Sequence, residues 1–362
     1  MNSSEKVSWW RINYSNEDIE KVTQSIRNEN ISMGAVTEEF ENKMADALDV
    51  PYVLATVNGS VALLMSMMAL GIKAGDEVIV PNRTWIATAH APMMLGAKLI
   101  MVDVLPTRPV MDTSLIKEKI NSRTRAIIPA ALCGCAVEME DIWNIARDYN
   151  IFVVEDAAQA LFSKYKGIYM GTKSDLGCFS MSISKLVTSG QGGFITIQNK
   201  NLYEELQLIR THGVKNVIDA SPFMRMGFNF RYTDLHASIA LVQLGKVQNR
   251  ISNIKKIYSL YQEALKKING INLIPVDIEH GEIPLYVEVI VDEREKLVEY
   301  LSSKNIQTRR IYPDLDSAKY LDCEGAYPNS RIFGKKGLVL PCGPDQPIDN
   351  IERVIESLFL FK

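Results

Sequence analysis

Lys185 stands in F-S-M-S-I-S-K-L-V-T-S-G-Q-G-G, a stretch of Ser, Thr, Gly and apolar residues that contains no second charge. Burial in such surroundings penalises the ammonium form, so the amine tends to lose its proton and become a nucleophile. Upstream, residues 151–154 form an apolar, β-branched run suited to a strand buried on both faces, and it ends in Glu155 and Asp156. A carboxylate at the buried end of a strand is costly unless compensated, so Asp156 is expected to meet a cation. A lysine for a Schiff base and an aspartate for a pyridinium nitrogen are the two parts that pyridoxal phosphate (PLP) requires. Taken singly, each has a plainer reading, since an E-D after a strand also serves as a helix cap or a solvated turn. Ser180, Gly190, Gly192 and Gly193 make the combination much more specific.

The elements that must position these residues alternate between strand and helix. Apolar spacing predicts helices over residues 16–27 and 38–48, then a strand over 52–57. The turn N-G-S at 58–60 leads into an apolar helix over 61–70. Free N–H groups and the helix dipole at such a turn suit a phosphate, and an ordinary strand-to-helix turn is the alternative. Strands at 75–81, 98–102 and 125–130 follow, with helices at 85–95 and 138–149 leading to the 151 strand. Beyond Gly193 come a strand over 194–198 and a helix over 202–210. This alternation implies α/β architecture, a mostly parallel sheet sandwiched by helices. Ligands then collect at the carboxyl ends of the strands, where Gly59, Trp85 and Asp156 all fall. Long helices over 232–244 and 251–268 lead to a smaller α+β part. That part reads as strands at 272–275, 283–291 and 308–311 with helices at 293–303 and 348–359. The expected division is a large domain of residues 1–248 and a small C-terminal domain of 249–362.

The chain of 362 residues has a net charge of −3 and 47% hydrophobic residues, ordinary globular values that give no electrostatic footprint for nucleic acid. The start M-N-S-S-E-K is polar with no apolar core behind it, so no signal peptide is expected. The apolar stretch 61–72 is too short to span a bilayer. The five cysteines read as reduced thiols of a cytoplasmic protein, and no second Cys pair or His cluster completes a metal site around Cys133 and Cys135.

E-D-A-A-Q-A at 155–160, followed by F-S-x4-K-x4-G-x-G-G, resembles the DegT/DnrJ/EryC1/StrS family of PLP-dependent sugar aminotransferases. These have the aspartate aminotransferase fold, type I of the PLP enzymes, and the resemblance covers nearly the full length. It implies that Lys185 holds PLP as a Schiff base and then acts as general base, and that Asp156 keeps the ring nitrogen protonated. Gln159 would bind the ring hydroxyl, and Ser180 with Gly59 and Ser60 the phosphate. Trp85 would stack on the ring, although a core position is its plainer reading. In G-F-N-F-R-Y, Asn229 matches the residue that reaches the neighbouring subunit's cofactor phosphate, which implies a homodimer with shared active sites. The alternative is that Asn229 caps the helix beginning near Thr233. His212, in T-H-G, either lines the substrate site or is structural. The implied reaction moves an amino group from an amino acid, glutamate by expectation, to a nucleotide-linked keto sugar in surface polysaccharide or glycan biosynthesis.

Some positions depart from the family pattern. Gln191 replaces a glutamate, A-L-C-G at 131–134 replaces H-L-Y-G, and R-I-Y-P-D-L-D at 310–316 lacks the usual His. The aromatic-rich segment before the small domain's main strand is reduced to E-I-P-L-Y. These changes spare the cofactor residues and bear on the acceptor, keeping a small phosphorylated ketone or aldehyde as an alternative. A PLP-dependent sugar dehydratase of the same fold would carry His where Lys185 stands, and a non-catalytic relative would have lost Lys185 or Asp156.

Overall fold

The computed structural model describes residues 5–215, 222–321 and 325–361. The polar start at residues 1–4 and Cys323 therefore lie outside the described residues. The chain begins with helices α1 (Asn16–Arg27) and α2 (Ala35–Leu48), then β1 (Tyr52–Thr56) and α3 (Gly59–Ala69). Next come β2 (Glu77–Pro81), α4 (Ala87–Met93), β3 (Lys98–Val102), β4 (Thr124–Ile127), α5 (Met139–Tyr149) and β5 (Phe152–Asp156). A short hairpin, β6 (Lys164–Tyr165) and β7 (Ile168–Tyr169), precedes β8 (Leu176–Ser180), β9 (Gly193–Ile197) and α6 (Lys200–Arg210). The rest is α7 (Asp234–Gly245), α8 (Val247–Leu265), β10 (Ile271–Leu273), β11 (Val287–Val291), α9 (Arg294–Ser303), β12 (Arg309–Arg310), α10 (Pro328–Lys336), β13 (Gly337–Leu340) and α11 (Ile348–Leu360).

The main sheet has seven strands in the order β1-β9-β8-β5-β4-β2-β3, with β9 alone running against its neighbours. Its strands are apolar and buried on both faces, as a sheet covered by helices requires. One face packs a core that includes Phe40, Phe179 and Phe194, the other a core that includes Leu54, Met65 and Ile195. Because β1, β2, β4, β5 and β8 point the same way, the segments after them converge on one edge. The reversed β9 starts at that same edge, with Ser180 opposite Gly193. A second, antiparallel sheet has the order β10-β11-β13-β12. The N-terminal segment joins it through bridges Val7 to Ile306 and Trp10 to Cys342, a return that the sequence did not suggest.

Several predicted bounds shift for identifiable reasons. The strand expected at 151–154 extends through Asp156, so Glu155 and Asp156 alternate to opposite faces. The strand expected to open at Ile283 opens at Val287. Its first residues donate elsewhere, Ile283 N–H to Ser163 Oγ at 2.9 Å and Leu285 N–H to the Cys133 carbonyl at 3.2 Å. The helix expected from 85 begins at Ala87. The helix expected from 232 begins at Asp234, because Thr233 is its cap and accepts from the His236 N–H. Sequence periodicity did not locate α10 or β13. Among the described residues no helix is long and apolar enough to cross a membrane. Cys133, Cys135, Cys178 and Cys342 are free and buried.

Candidate active site

A cavity of about 370 Å³ opens where the strand ends meet the second sheet. Its wall includes Gly59, Ser60, Trp85, Asp156, Gln159, Ser180 and Lys185, seven of the eight predicted site residues. Asn229 is exposed and does not line this cavity. His212 also lies away from it, exposed in a left-handed turn with φ 56°, its N–H on the Phe228 carbonyl.

Asp156 ends β5 and is 7% exposed. Thr88 Oγ1 donates to its Oδ2 at 2.6 Å, and the Ala158 N–H donates to Oδ1 at 3.2 Å. The expected contact with a cation is thus a hydroxyl and an amide, with Lys185 attracting it from further off. Burial raises the Asp156 carboxyl above its usual range, and the two hydrogen bonds and Lys185 only oppose this. A protonated ring nitrogen would supply the missing positive charge. Glu155, on the other face of β5, accepts from the Gly171 N–H at 2.7 Å and from Ser174 Oγ at 2.6 Å, and serves the core.

Lys185 lies in the turn after β8, its side chain partly open to the cavity. Desolvation by the surrounding protein pushes its amine down to about 8, Asp156 and Cys133 acting against this and Arg309 with it. An appreciable neutral fraction therefore exists near neutrality, as a nucleophile requires. Gln159 Oε1 accepts from the Cys133 N–H at 3.0 Å, which fixes the amide and leaves its NH₂ to donate. Trp85 is 46% exposed at the cavity and meets Tyr312 edge-on at 5.4 Å, which removes the reading of Trp85 as core.

The phosphate cradle is built from close backbone approach. Asn58 caps α3, its side chain accepting from the Val61 N–H at 2.8 Å, so the Gly59 and Ser60 amides remain available. A Cβ on Gly59 would lie 3.0 Å from the Ser180 Cβ and 3.3 Å from the Phe179 carbonyl oxygen. A Cβ on Gly193 would lie 2.4 Å from the Asn58 carbonyl carbon. Gly193 therefore excludes a side chain, Gly59 would take one only if Ser180 gave way by a few tenths of an ångström, and together they let a helix N-terminus approach Ser180. A nucleophilic lysine, a buried carboxylate short of positive charge and an anion cradle fit PLP.

Sequence reasoning missed the residue behind Asp156 and several members of this wall. Thr88, which holds Asp156, is an unremarked hydroxyl on a short helix. Trp9, Tyr286, Glu288, Arg309 and Tyr312 come from the N-terminal segment and the second sheet. The even spacing of Tyr286 and Glu288 put them on one side of an extended segment, a signal available in the sequence.

A mostly parallel seven-stranded sheet with a lysine and a buried aspartate at its strand ends defines the class of PLP-dependent transferases. The chain matches the DegT/DnrJ/EryC1/StrS aminotransferase family over residues 13–359 and belongs to it, and it is a PLP-dependent aminotransferase. It is 34% identical over 329 residues to GDP-perosamine synthase of Escherichia coli, covering 90% of each chain. It is 31% identical over 342 residues to GDP-perosamine synthase of Caulobacter vibrioides, again over 90% of each. Among solved structures, DesV of S. venezuelae superimposes with a TM-score of 0.90 at 26% identity, covering 95% of this chain and 93% of that one.

Proposed function

We propose that this aminotransferase moves an amino group from an amino acid, glutamate by preference, to a nucleotide-linked keto sugar used in surface polysaccharide biosynthesis. The observation behind it is one cavity in which the Lys185 amine, with its proton affinity lowered, shares the wall with buried Asp156 and the Gly59–Ser60 cradle. Likeness over nearly the whole chain to two GDP-perosamine synthases favours a GDP-linked acceptor.

In this reading Lys185 would hold the cofactor covalently and, with its amine free, would move a proton to and from the amino-bearing carbon. Bound PLP supplies a protonated ring that takes up the electron pair left by that proton. Asp156 holds the ring nitrogen's proton, and Thr88 holds Asp156. Gln159 donates its NH₂ to the ring hydroxyl, Ser180, Gly59 and Ser60 hold the phosphate, and Trp85 covers the ring. The working unit is a homodimer in which Asn229 serves the partner's site, acting in the cytoplasm, to which four free buried thiols are suited. The large domain, residues 1–248, carries the cofactor residues, and the small domain, residues 249–362, faces the acceptor.

The test is reaction of the purified holoenzyme with glutamate and GDP-linked or UDP-linked keto sugars, with products read by mass spectrometry. An amino sugar from a nucleotide-linked substrate is the expected result. Amination of small keto phosphates alone would overturn the acceptor.

A further inference from the structure

Buried carboxylates in this protein are answered by strong donors. Asp234 accepts from the Gly34 and Thr37 N–H groups at 2.8 and 2.9 Å. Glu41 takes the Ala55 N–H at 2.7 Å and the Arg210 guanidinium at 2.5 Å. Glu282 takes the Ala136 and Asp277 N–H groups at 2.8 and 2.6 Å. Glu288 is different. It lines the active-site cavity from β11 and is 6% exposed. Among the described residues its hydrogen-bond donor is the Cys133 thiol, a weak one. Arg83 and Arg309 act on it only through space, and Arg83 is bound to Asp314 at 2.6 Å.

A carboxylate accepts at about four sites, so Glu288 has capacity left on its cavity side. In a buried position that capacity is costly unless water or a ligand donates to it. Cys133 is fixed for its contact by a left-handed backbone, φ 56°, with its N–H on Gln159 and its carbonyl accepting from the Leu285 N–H. Two departures from the family pattern meet at this place. Cys133 stands where the pattern has Tyr, and Ala131, where it has His, lines the same cavity.

We propose that Glu288 is a specificity-determining residue for the acceptor, taking a hydrogen bond from a ring hydroxyl of the keto sugar, and that Cys133 is its positioning residue. This rests on the reading that the acceptor is a keto sugar. A sugar hydroxyl is a neutral donor, so it completes the hydrogen bonding of Glu288 without adding charge to the wall. A phosphate or carboxylate on that side of the substrate would be repelled. A site that hydrogen-bonds a substrate hydroxyl also rejects the analogue lacking it, because its own buried group is then left unpaired.

The probes are GDP-linked and UDP-linked keto hexoses, each beside analogues that lack one ring hydroxyl, with small keto phosphates for comparison. In single turnovers of the aminated holoenzyme read by cofactor absorbance, one analogue should react about tenfold to a hundredfold more slowly than its parent, the range for losing a hydrogen bond to a charged group. In Glu288→Met the parent should slow by a similar factor, and parent and analogue should become equal within about threefold. Glu288→Gln, isosteric and neutral, should keep only part of the preference. Cys133→Ala should lower the preference and Cys133→Ser restore it. The loss in Glu288→Met should fall on the sugar half-reaction and not on the one with glutamate. Equal rates for parent and every analogue in wild type overturn the subsite. So does a preference undiminished in Glu288→Met and Glu288→Gln, or equal slowing of both half-reactions. An undiminished preference in Cys133→Ala overturns the positioning role. If only small keto phosphates are aminated, the proposed function fails and the subsite with it. If nucleotide-linked sugars are aminated without regard to their hydroxyls, the subsite alone fails.

Discussion

Thr88 Oγ1 donates to Asp156 Oδ2 at 2.6 Å, and both side chains are buried where α4 passes the end of β5. The bond favours the charged carboxylate, while burial works against it. Thr88→Val keeps the shape and removes the donor, so the carboxyl should rise further and hold the ring nitrogen's proton less well. The expected loss is about 1–3 kcal/mol in cofactor affinity, with activity down tenfold or more. Thr88→Ser should restore most of it. Equilibrium dialysis of PLP and turnover of both variants decide this. Normal values for Thr88→Val would show that Asp156 needs no such support.

Lys185 makes the stability of the cofactor-free protein depend on pH. Its folded-state amine is pushed down to about 8 from an ordinary value of 10.5, so the unfolded chain binds the proton more tightly. Protonation therefore favours unfolding, and this penalty is full below about pH 8 and relieved as pH rises toward 10.5. Without cofactor, Lys185→Met should melt above wild type at about pH 7, and the gap should narrow at about pH 9.5. Melting curves at the two pH values test it. A gap that stays constant would mean that Lys185 is not strained by burial.

Much of this site was legible because its chemistry is local in sequence. Asp156 and Gln159 flank one strand end, and Ser180, Lys185 and Gly193 span one turn. Continuous apolar runs located α3 and β3, and α5 buries one clear face through Ile142, Ile145 and Ala146. What stayed hidden was brought in by tertiary return. Trp9 enters because residues 7–10 pair with Ile306 and Cys342, and no local pattern announces such a bridge. The length of β11 was misjudged because Ile283 and Leu285 are extended yet give their N–H groups to Ser163 and Cys133. Arg309 and Arg310 both reach the cavity and are indistinguishable in sequence, and only the tertiary structure sets Arg309 over Trp9 and pairs Arg310 with Glu295.

The glycines of G-Q-G-G make separable predictions. Gly193→Ala would drive a Cβ into backbone atoms of Asn58 and Gly59, at 2.4 and 2.6 Å, and neither can move without opening the cradle. The expected cost is about 1–3 kcal/mol or more in stability, with marked loss of PLP. Gly190 has φ 82°, and a Cβ added there would meet nothing within 4 Å. Gly190→Ala should therefore cost only backbone strain, about 1–2 kcal/mol, with PLP retained. Urea unfolding and PLP retention, measured together, separate the two. PLP loss of equal size in both variants would sink the close-approach account.

Asn229 is exposed, and its Oδ1 accepts from Arg231 Nε at 2.8 Å, which leaves the NH₂ free to donate outward. The same segment exposes Phe223, Met226 and Phe228 at 79%, 67% and 52%, an apolar surface that a partner would cover. Thr233 caps α7, so Asn229 is not needed there. If Asn229 reaches the partner's phosphate, Asn229→Asp should be poorly active because a carboxylate repels that anion, and Lys185→Ala should be poorly active for its own reason. In a mixed dimer one site carries both lesions and the other carries neither. Co-refolding equal amounts should form such dimers in half the cases by chance and recover about a quarter of wild-type activity in a two-fold assembly. Sedimentation and tagged pull-down establish that mixed dimers are present. Mixed dimers without recovered activity would show that Asn229 does not act across the interface.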